Sequence, residues 1–203
     1  MPLPLIAAAA IPVAAKIGIG VGAAILGLAG IGVAAFKFKT ANKNDEADLT
    51  VLLVGEQAAG KDTIFHILKG DGFISNTTGL GHYEIIMAEV KNKKIKVINT
   101  TGSESSLKDT EEAKSLHHDI RCYVFDSRNF YSDNVIKLGL IDSINDCMGR
   151  NILLLAIGTR GDEINNKDDI INQVKSFGVN CKIFELSKNP REDLIKYIFL
   201  NKI

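Results

Sequence analysis

The run Leu49-Thr50-Val51-Leu52-Leu53-Val54 leads without a break into Gly55-Glu56-Gln57-Ala58-Ala59-Gly60-Lys61-Asp62-Thr63, and then into the helix-like Ile64-Phe65-His66-Ile67-Leu68. A buried strand, a glycine-bounded turn, a lysine and a helix confine the chain to an α/β arrangement. Gly55 and Gly60 allow backbone angles that a side chain would oppose. The N–H groups of the turn and of the helix start carry partial positive charge, and Lys61 adds a full one. Gly55, Ala58, Ala59, Gly60, Lys61, Asp62 and Thr63 are therefore candidate phosphate ligands. The spacing is that of a phosphate-binding loop, in which a hydroxyl residue normally follows the lysine. Asp62 stands in that place. The plainer alternative is a glycine turn in an ordinary α/β domain.

Charge divides the chain. Lys16 is the one charged side chain in residues 1–36, although the 203 residues hold 24 basic and 24 acidic groups. The rest is balanced to within one charge and gives no reason to expect nucleic-acid binding. Cys122, Cys147 and Cys181 have no metal-ligand spacing, and buried, reduced thiols are expected. His66, His82, His117 and His118 lack spaced carboxylate or cysteine partners and read as surface or packing residues.

Ile17–Phe36 is a charge-free stretch of 20 residues. A helix of that length crosses a hydrocarbon core of roughly 30 Å. Lys37, Lys39 and Lys43 follow it, so the downstream part is expected to face the cytoplasm. Pro12 and Lys16 interrupt the apolar residues before it, which leaves a single span or a hairpin open. A cleavable signal peptide is the competing reading, but there is no basic n-region and the apolar run is long. Gly18 and Gly22 form a GxxxG, a pattern that permits self-association in a membrane.

These features divide the chain into an apolar anchor at 1–39, a polar linker at 40–48 and an α/β domain at 49–203. Strands are expected at Leu49–Val54, His82–Val90, Lys94–Asn99, Ile120–Phe125, Asn151–Ile157 and Cys181–Glu185, the second and third joined by a polar turn and antiparallel. Helices are expected at Asp62–Lys69, Thr110–His117, Ser132–Met148, Lys167–Phe177 and Pro190–Asn201, the last with Asn189 as N-cap. The alternation implies a doubly wound, mostly parallel six-stranded sheet, preceded by an apolar N-terminal helix. Ligands then bind beyond the carboxyl ends of the strands.

Over residues 49–203 the chain resembles the small GTP-binding proteins, which are P-loop GTPases, and their Arf-like branch in particular. Gly55–Thr63, with its Ala58-Ala59-Gly60-Lys61 centre, resembles their phosphate loop. Asn76-Thr77-Thr78-Gly79 falls where the first switch carries its magnesium-binding threonine, and Thr78 best fits that role, with Thr77 the alternative. Asn99-Thr100-Thr101-Gly102 lies where the family has Asp-x-x-Gly. Val124-Phe125-Asp126-Ser127 is similar to the end of the next strand. Thr159-Arg160-Gly161-Asp162 resembles the guanine-reading (Asn/Thr)-Lys-x-Asp, and Ser187-Lys188-Asn189 the Ser-Ala-Lys loop. The resemblance implies binding of GTP and GDP, with Thr159, Arg160, Asp162, Ser187 and Lys188 around the guanine and Asp62 and Thr78 near a Mg²⁺. Guanine offers a ring N–H and an exocyclic amine side by side, which one carboxylate can accept together. Arg160 would lay its stem along the base, and N–H groups near Ser187–Lys188 would donate to the guanine carbonyl.

The departures from the family pattern concern metal and water. Asp62 replaces a hydroxyl, Asn99 replaces a carboxylate, and Ser103 follows Gly102 where a glutamine orients the attacking water. Hydrolysis depends on those parts, so slow or absent turnover is expected. The resulting expectation is a membrane-anchored guanine-nucleotide switch that meets an effector protein. Its rivals are a pseudo-GTPase binding module and a regulator of a membrane-active N-terminal segment.

Overall fold

The computed structural model describes residues 32–74, 83–100 and 115–200. Seven strands form one sheet: β1 Lys39–Thr40, β2 Leu49–Gly55, β3 Glu84–Val90, β4 Lys93–Asn99, β5 Ile120–Asp126, β6 Leu153–Thr159 and β7 Asn180–Ile183, in the order β1-β3-β4-β2-β5-β6-β7. The pairs β4–β2, β2–β5, β5–β6 and β6–β7 are parallel, while β1–β3 and β3–β4 are antiparallel. The central strands β2 and β5 are buried along almost their whole length, as strands covered on both faces must be.

Four helices lie among the described residues: α1 Lys61–Lys69, α2 Asn134–Cys147, α3 Lys167–Ser176 and α4 Arg191–Ile195, which runs on through a π-helical turn at Lys196–Leu200. α1 and α4 pack into a core with Val51, Leu53, Val97 and Val124 on one face of the sheet. α2 and α3 pack with Leu52, Val54, Tyr123 and Ala156 on the other. Alternate residues of β2 thus feed opposite cores, which follows from the two-residue period of a strand. The sheet is doubly wound and mostly parallel.

Lys91 and Asn92 turn the β3–β4 hairpin with φ of 49° and 60°, the positive pair that a two-residue hairpin turn demands. α2 starts where Asp133 caps the Val135 N–H at 2.8 Å.

Four expectations need correction. The sheet has seven strands because β1 comes from residues read as anchor and linker; Lys39 and Thr40 pair with Met87 and Ile86. The segment read as a linker is fastened to the sheet edge instead. Ala41 N–H donates to Ile85 O at 3.0 Å and Asp48 N–H to Lys94 O at 2.8 Å. The buried Lys96 ammonium reaches the carbonyls of Lys43, at 3.2 Å, and Asp45. The end of the apolar stretch also belongs to this unit: Phe36 is fully buried, its ring stacked 5.4 Å from that of Phe199. Arg191 donates to Leu68 O at 3.1 Å and to Phe36 O, which ties that arm to α1 and α4. Finally, Pro190 rather than Asn189 occupies the N-cap of α4. Asn189 adopts φ 49°, and its N–H closes the preceding turn on Leu186 O.

Most of the helix expected at Thr110–His117 lies outside the described residues, as does most of the span expected at Ile17–Phe36. No helix among the described residues is long and apolar enough to cross a membrane.

Candidate nucleotide site

The carboxyl ends of β2, β5, β6 and β7 open on one edge of the sheet, and the loops there carry the residues singled out above. β2 ends at Gly55 with φ 145°; a Cβ there would lie 2.0 Å from Val124 O, so no other residue fits. Ala58 (φ 59°) and Gly60 (φ 97°) bend the chain back, and α1 begins at Lys61 with no side-chain cap. The first-turn N–H groups of a nine-residue helix therefore face the loop.

Lys61 is buried under this loop. Its Nζ donates to Gly55 O at 2.8 Å and Glu56 O at 2.7 Å. An ammonium has three protons, so one is left for a ligand. Burial lowers the pKa of Lys61 to about 8, against the raising influence of Asp62 and Glu56.

The loop is held against the neighbouring strand ends. Thr159, at the end of β6, places its hydroxyl 2.9 Å from Ala59 O and 3.2 Å from Phe125 O. A Cβ on Gly60 would meet Thr159 Cγ2 at 3.0 Å and Leu186 Cδ1 at 3.3 Å. Three segments far apart in sequence therefore converge: the β2–α1 loop, the β6 terminus and the turn after β7. Thr159 is fully buried, so it fastens the loop and does not face a base.

Beyond Thr159, the exposed Asp162 accepts a hydrogen bond from Ser187 Oγ at 3.1 Å. Gly161 brings the two loops into register by donating its N–H to Phe184 O at 3.1 Å. Arg160 (φ 56°) is held by Asp126 at 3.0 Å and Glu163 at 3.6 Å. Its guanidinium therefore starts from an ion-paired position and not from an open one. Arg128 binds the same two carboxylates at 2.7 and 2.8 Å. Burial pushes the Asp126 carboxyl up, but Arg128 and Arg160 outweigh it and hold the group below the usual range. Lys188 is turned away as well. Its N–H donates to Glu185 O at 3.1 Å and its ammonium pairs with Glu185. With Lys167 at 2.8 Å, this holds the Glu185 carboxyl down at about 2. Of the N–H groups expected near the guanine carbonyl, that of Lys188 is therefore already engaged within its own turn.

On the opposite side of the loop, Asp62 Oδ1 accepts from Asn99 Nδ2 at 2.8 Å. Asn99 is buried at the end of β4, and its Oδ1 has no hydrogen-bond partner. Thr63 turns towards the segment after α1 and donates to Ile74 O at 3.1 Å, so it does not replace the missing hydroxyl beside Lys61. Thr100 is buried, with its hydroxyl on Leu53 O at 2.9 Å. Thr78, the expected switch threonine, lies outside the described residues.

Sequence reading missed the Asp62–Asn99 bond, the Asp126 clamp and the fastening role of Thr159. Only the last had a visible signal, a hydroxyl residue at the end of an apolar strand. A scan against protein-family models finds no match, and a search of curated proteins finds none.

Proposed function

We propose that this chain is a guanine-nucleotide-binding protein of the P-loop GTPase type, with slow or absent hydrolysis, held at a membrane by its N-terminal apolar segment. One observation carries the reading. The Lys61 loop touches Thr159 and Leu186 at the same strand edge where Ser187 hydrogen-bonds Asp162. A phosphate cradle and a fixed carboxylate then lie on one ligand path at the carboxyl ends of parallel strands, where open α/β sheets bind nucleotides.

Each group has a chemical role. The loop N–H groups, the start of α1 and the remaining proton of Lys61 hold phosphate oxygens. Asp162, oriented by Ser187, accepts from the ring N–H and the exocyclic amine of guanine. Adenine has no such donor pair and would leave that carboxylate unsatisfied. Freed from Asp126, Arg160 has the stem length to cover the base.

A Mg²⁺ fits the described residues poorly. Magnesium takes oxygen ligands in near-octahedral geometry. Asn99 donates an N–H to Asp62 Oδ1, so one oxygen of that carboxylate is already engaged by a donor. No cluster of three or more His, Cys, Asp or Glu residues among the described residues is arranged to hold a metal. With no metal ligand set among the described residues, and Ser103 where the family places its water-orienting glutamine, the protein binds and releases nucleotide more readily than it cleaves it. The Asp62–Asn99 bond also favours the pseudo-GTPase variant of this reading, a binding module without chemistry.

The membrane part rests on the apolar composition of residues 1–36 and the lysines after it. Because Phe36 lies in the domain core, a membrane-embedded segment would end before it. The nucleotide-binding part would then lie close to the bilayer on the cytoplasmic side, where an effector protein would meet it.

The test is mass analysis of small molecules released on denaturing the purified full-length chain. A guanine nucleotide in near-stoichiometric amount is expected. An adenine nucleotide in its place would overturn the reading.

A further inference from the structure

We infer that the cradle takes a guanosine diphosphate without a divalent cation and disfavours the triphosphate. This rests on the guanine-nucleotide reading above and specifies its ligand.

The strand order gives the ligand a direction. The base-reading pair Asp162 and Ser187 follows β6 and β7, and the cradle follows β2. In the order β4-β2-β5-β6-β7, a nucleotide with its base on Asp162 and its phosphates on the cradle points its free end towards β4. β4 ends at Asn99.

What waits there is an acceptor wall. Asp62 stands in the first turn of α1 with its carboxylate fixed by the Asn99 amide at 2.8 Å. Asn99 is 97% buried, since its exposure is 3%, and its Oδ1 is an unpartnered acceptor. Phosphate oxygens are acceptors as well, and a terminal phosphate carries the most charge. Two phosphates can be served by the loop N–H groups and Lys61. A third would approach the Asp62 carboxylate with no donor among the described residues between them.

A divalent cation would normally bridge such a meeting of anions. Here Asn99 donates an N–H to Asp62 Oδ1 from the protein side, and so gives that oxygen the positive partner a cation would otherwise supply. Rotating the amide would set its oxygen against the carboxylate, which is stable only if a cation intervenes. The pair as built satisfies Asp62 without metal. The loop Gly55–Thr63 holds Glu56, Lys61 and Asp62, a net charge of −1, which suits the less charged ligand.

Calorimetric titration of the full-length chain with GDP and with GTP, in excess magnesium chloride and in EDTA, tests this. The GDP dissociation constant is expected to change by less than about threefold between buffers, because no metal site is needed. GTP is expected to bind at least about tenfold more weakly than GDP in both, reflecting one unscreened like-charge contact. Asp62→Ser should narrow that gap to within about threefold, and Asp62→Asn, which keeps the shape, should act in the same direction. GTP binding as tight as GDP, or tightened more than about tenfold by magnesium, would overturn the inference and leave guanine recognition standing. Failure of both nucleotides to bind in either buffer would bring down the inference and the underlying reading together.

Discussion

Lys61 is a buried cation whose environment is only half complete. Its two bonds to carbonyl oxygens do not offset burial, and its pKa falls from 10.5 to about 8. The sign of the consequence is definite. Between pH 8 and 10.5 the unfolded chain holds a proton that the folded chain has lost, so stability rises with pH through that window. Below pH 8 both states are protonated and this residue contributes no slope. The gain across the window is at most about 3 kcal/mol, from 1.36 kcal/mol per pKa unit. Urea unfolding of the wild type at pH 8 and pH 10 should show part of that rise, and Lys61→Met should lack it. Equal slopes for the two proteins would mean that the lysine is solvated. A bound polyphosphate acts in the opposite direction, raising the Lys61 pKa and drawing in a proton near pH 8. At the other pole of the site, Asp162 makes no direct ion pair among the described residues and accepts a hydrogen bond from a neutral hydroxyl. A ligand can engage it without first displacing an arginine or a lysine, unlike Asp126 and Glu185.

Among the elements, β2 and α1 were legible because continuous burial and a glycine turn leave the chain few alternatives. The β3–β4 hairpin was legible from Lys91-Asn92, and the stripe Leu194, Ile195, Ile198 and Phe199 is buried as its spacing implies. β1 was not legible, because two residues cannot show alternation and Lys39-Thr40 is polar. Phe36 was read as the end of a lipid-facing run. Hydropathy alone does not distinguish an aromatic ring that enters lipid from one that stacks on Phe199. The loops singled out do follow strands, as their places in the sequence implied. Their mutual contacts were not, since Asn99 and Asp62 are 37 residues apart and meet only through the parallel register of β2 and β4. The aromatic arm supplies the prediction at this scale. Phe36→Ala should destabilise the domain by about 3 kcal/mol or more, the cost of emptying a buried aromatic site. Chemical denaturation followed by circular dichroism measures it. An unchanged midpoint would place Phe36 outside the core.

At the level of the whole molecule, the parallel register of β4, β2, β5, β6 and β7 carries the loops that follow them to one edge of the sheet. The two faces hold separate cores, one built on α1 and α4 and the other on α2 and α3. The candidate site lies at the strand ends, on loops that the sheet positions, and under the proposed function those loops make the ligand contacts. The apolar arm enters on the α1 and α4 face, through Phe36 and Phe38 against Phe199. Packing of the arm and the fold of the phosphate loop therefore share α1. The central claim is that this edge grips phosphate near Lys61 and selects guanine through Asp162. Calorimetric competition between GDP and ADP, on the wild type and on Asp162→Ala, tests it most directly. The wild type should prefer GDP by at least about tenfold, the order expected from hydrogen bonds to a charged acceptor, and the variant should bind the two within about threefold of each other. An Asp162→Ala protein that keeps the full preference for GDP, or a wild type that binds ADP as tightly as GDP, would contradict it.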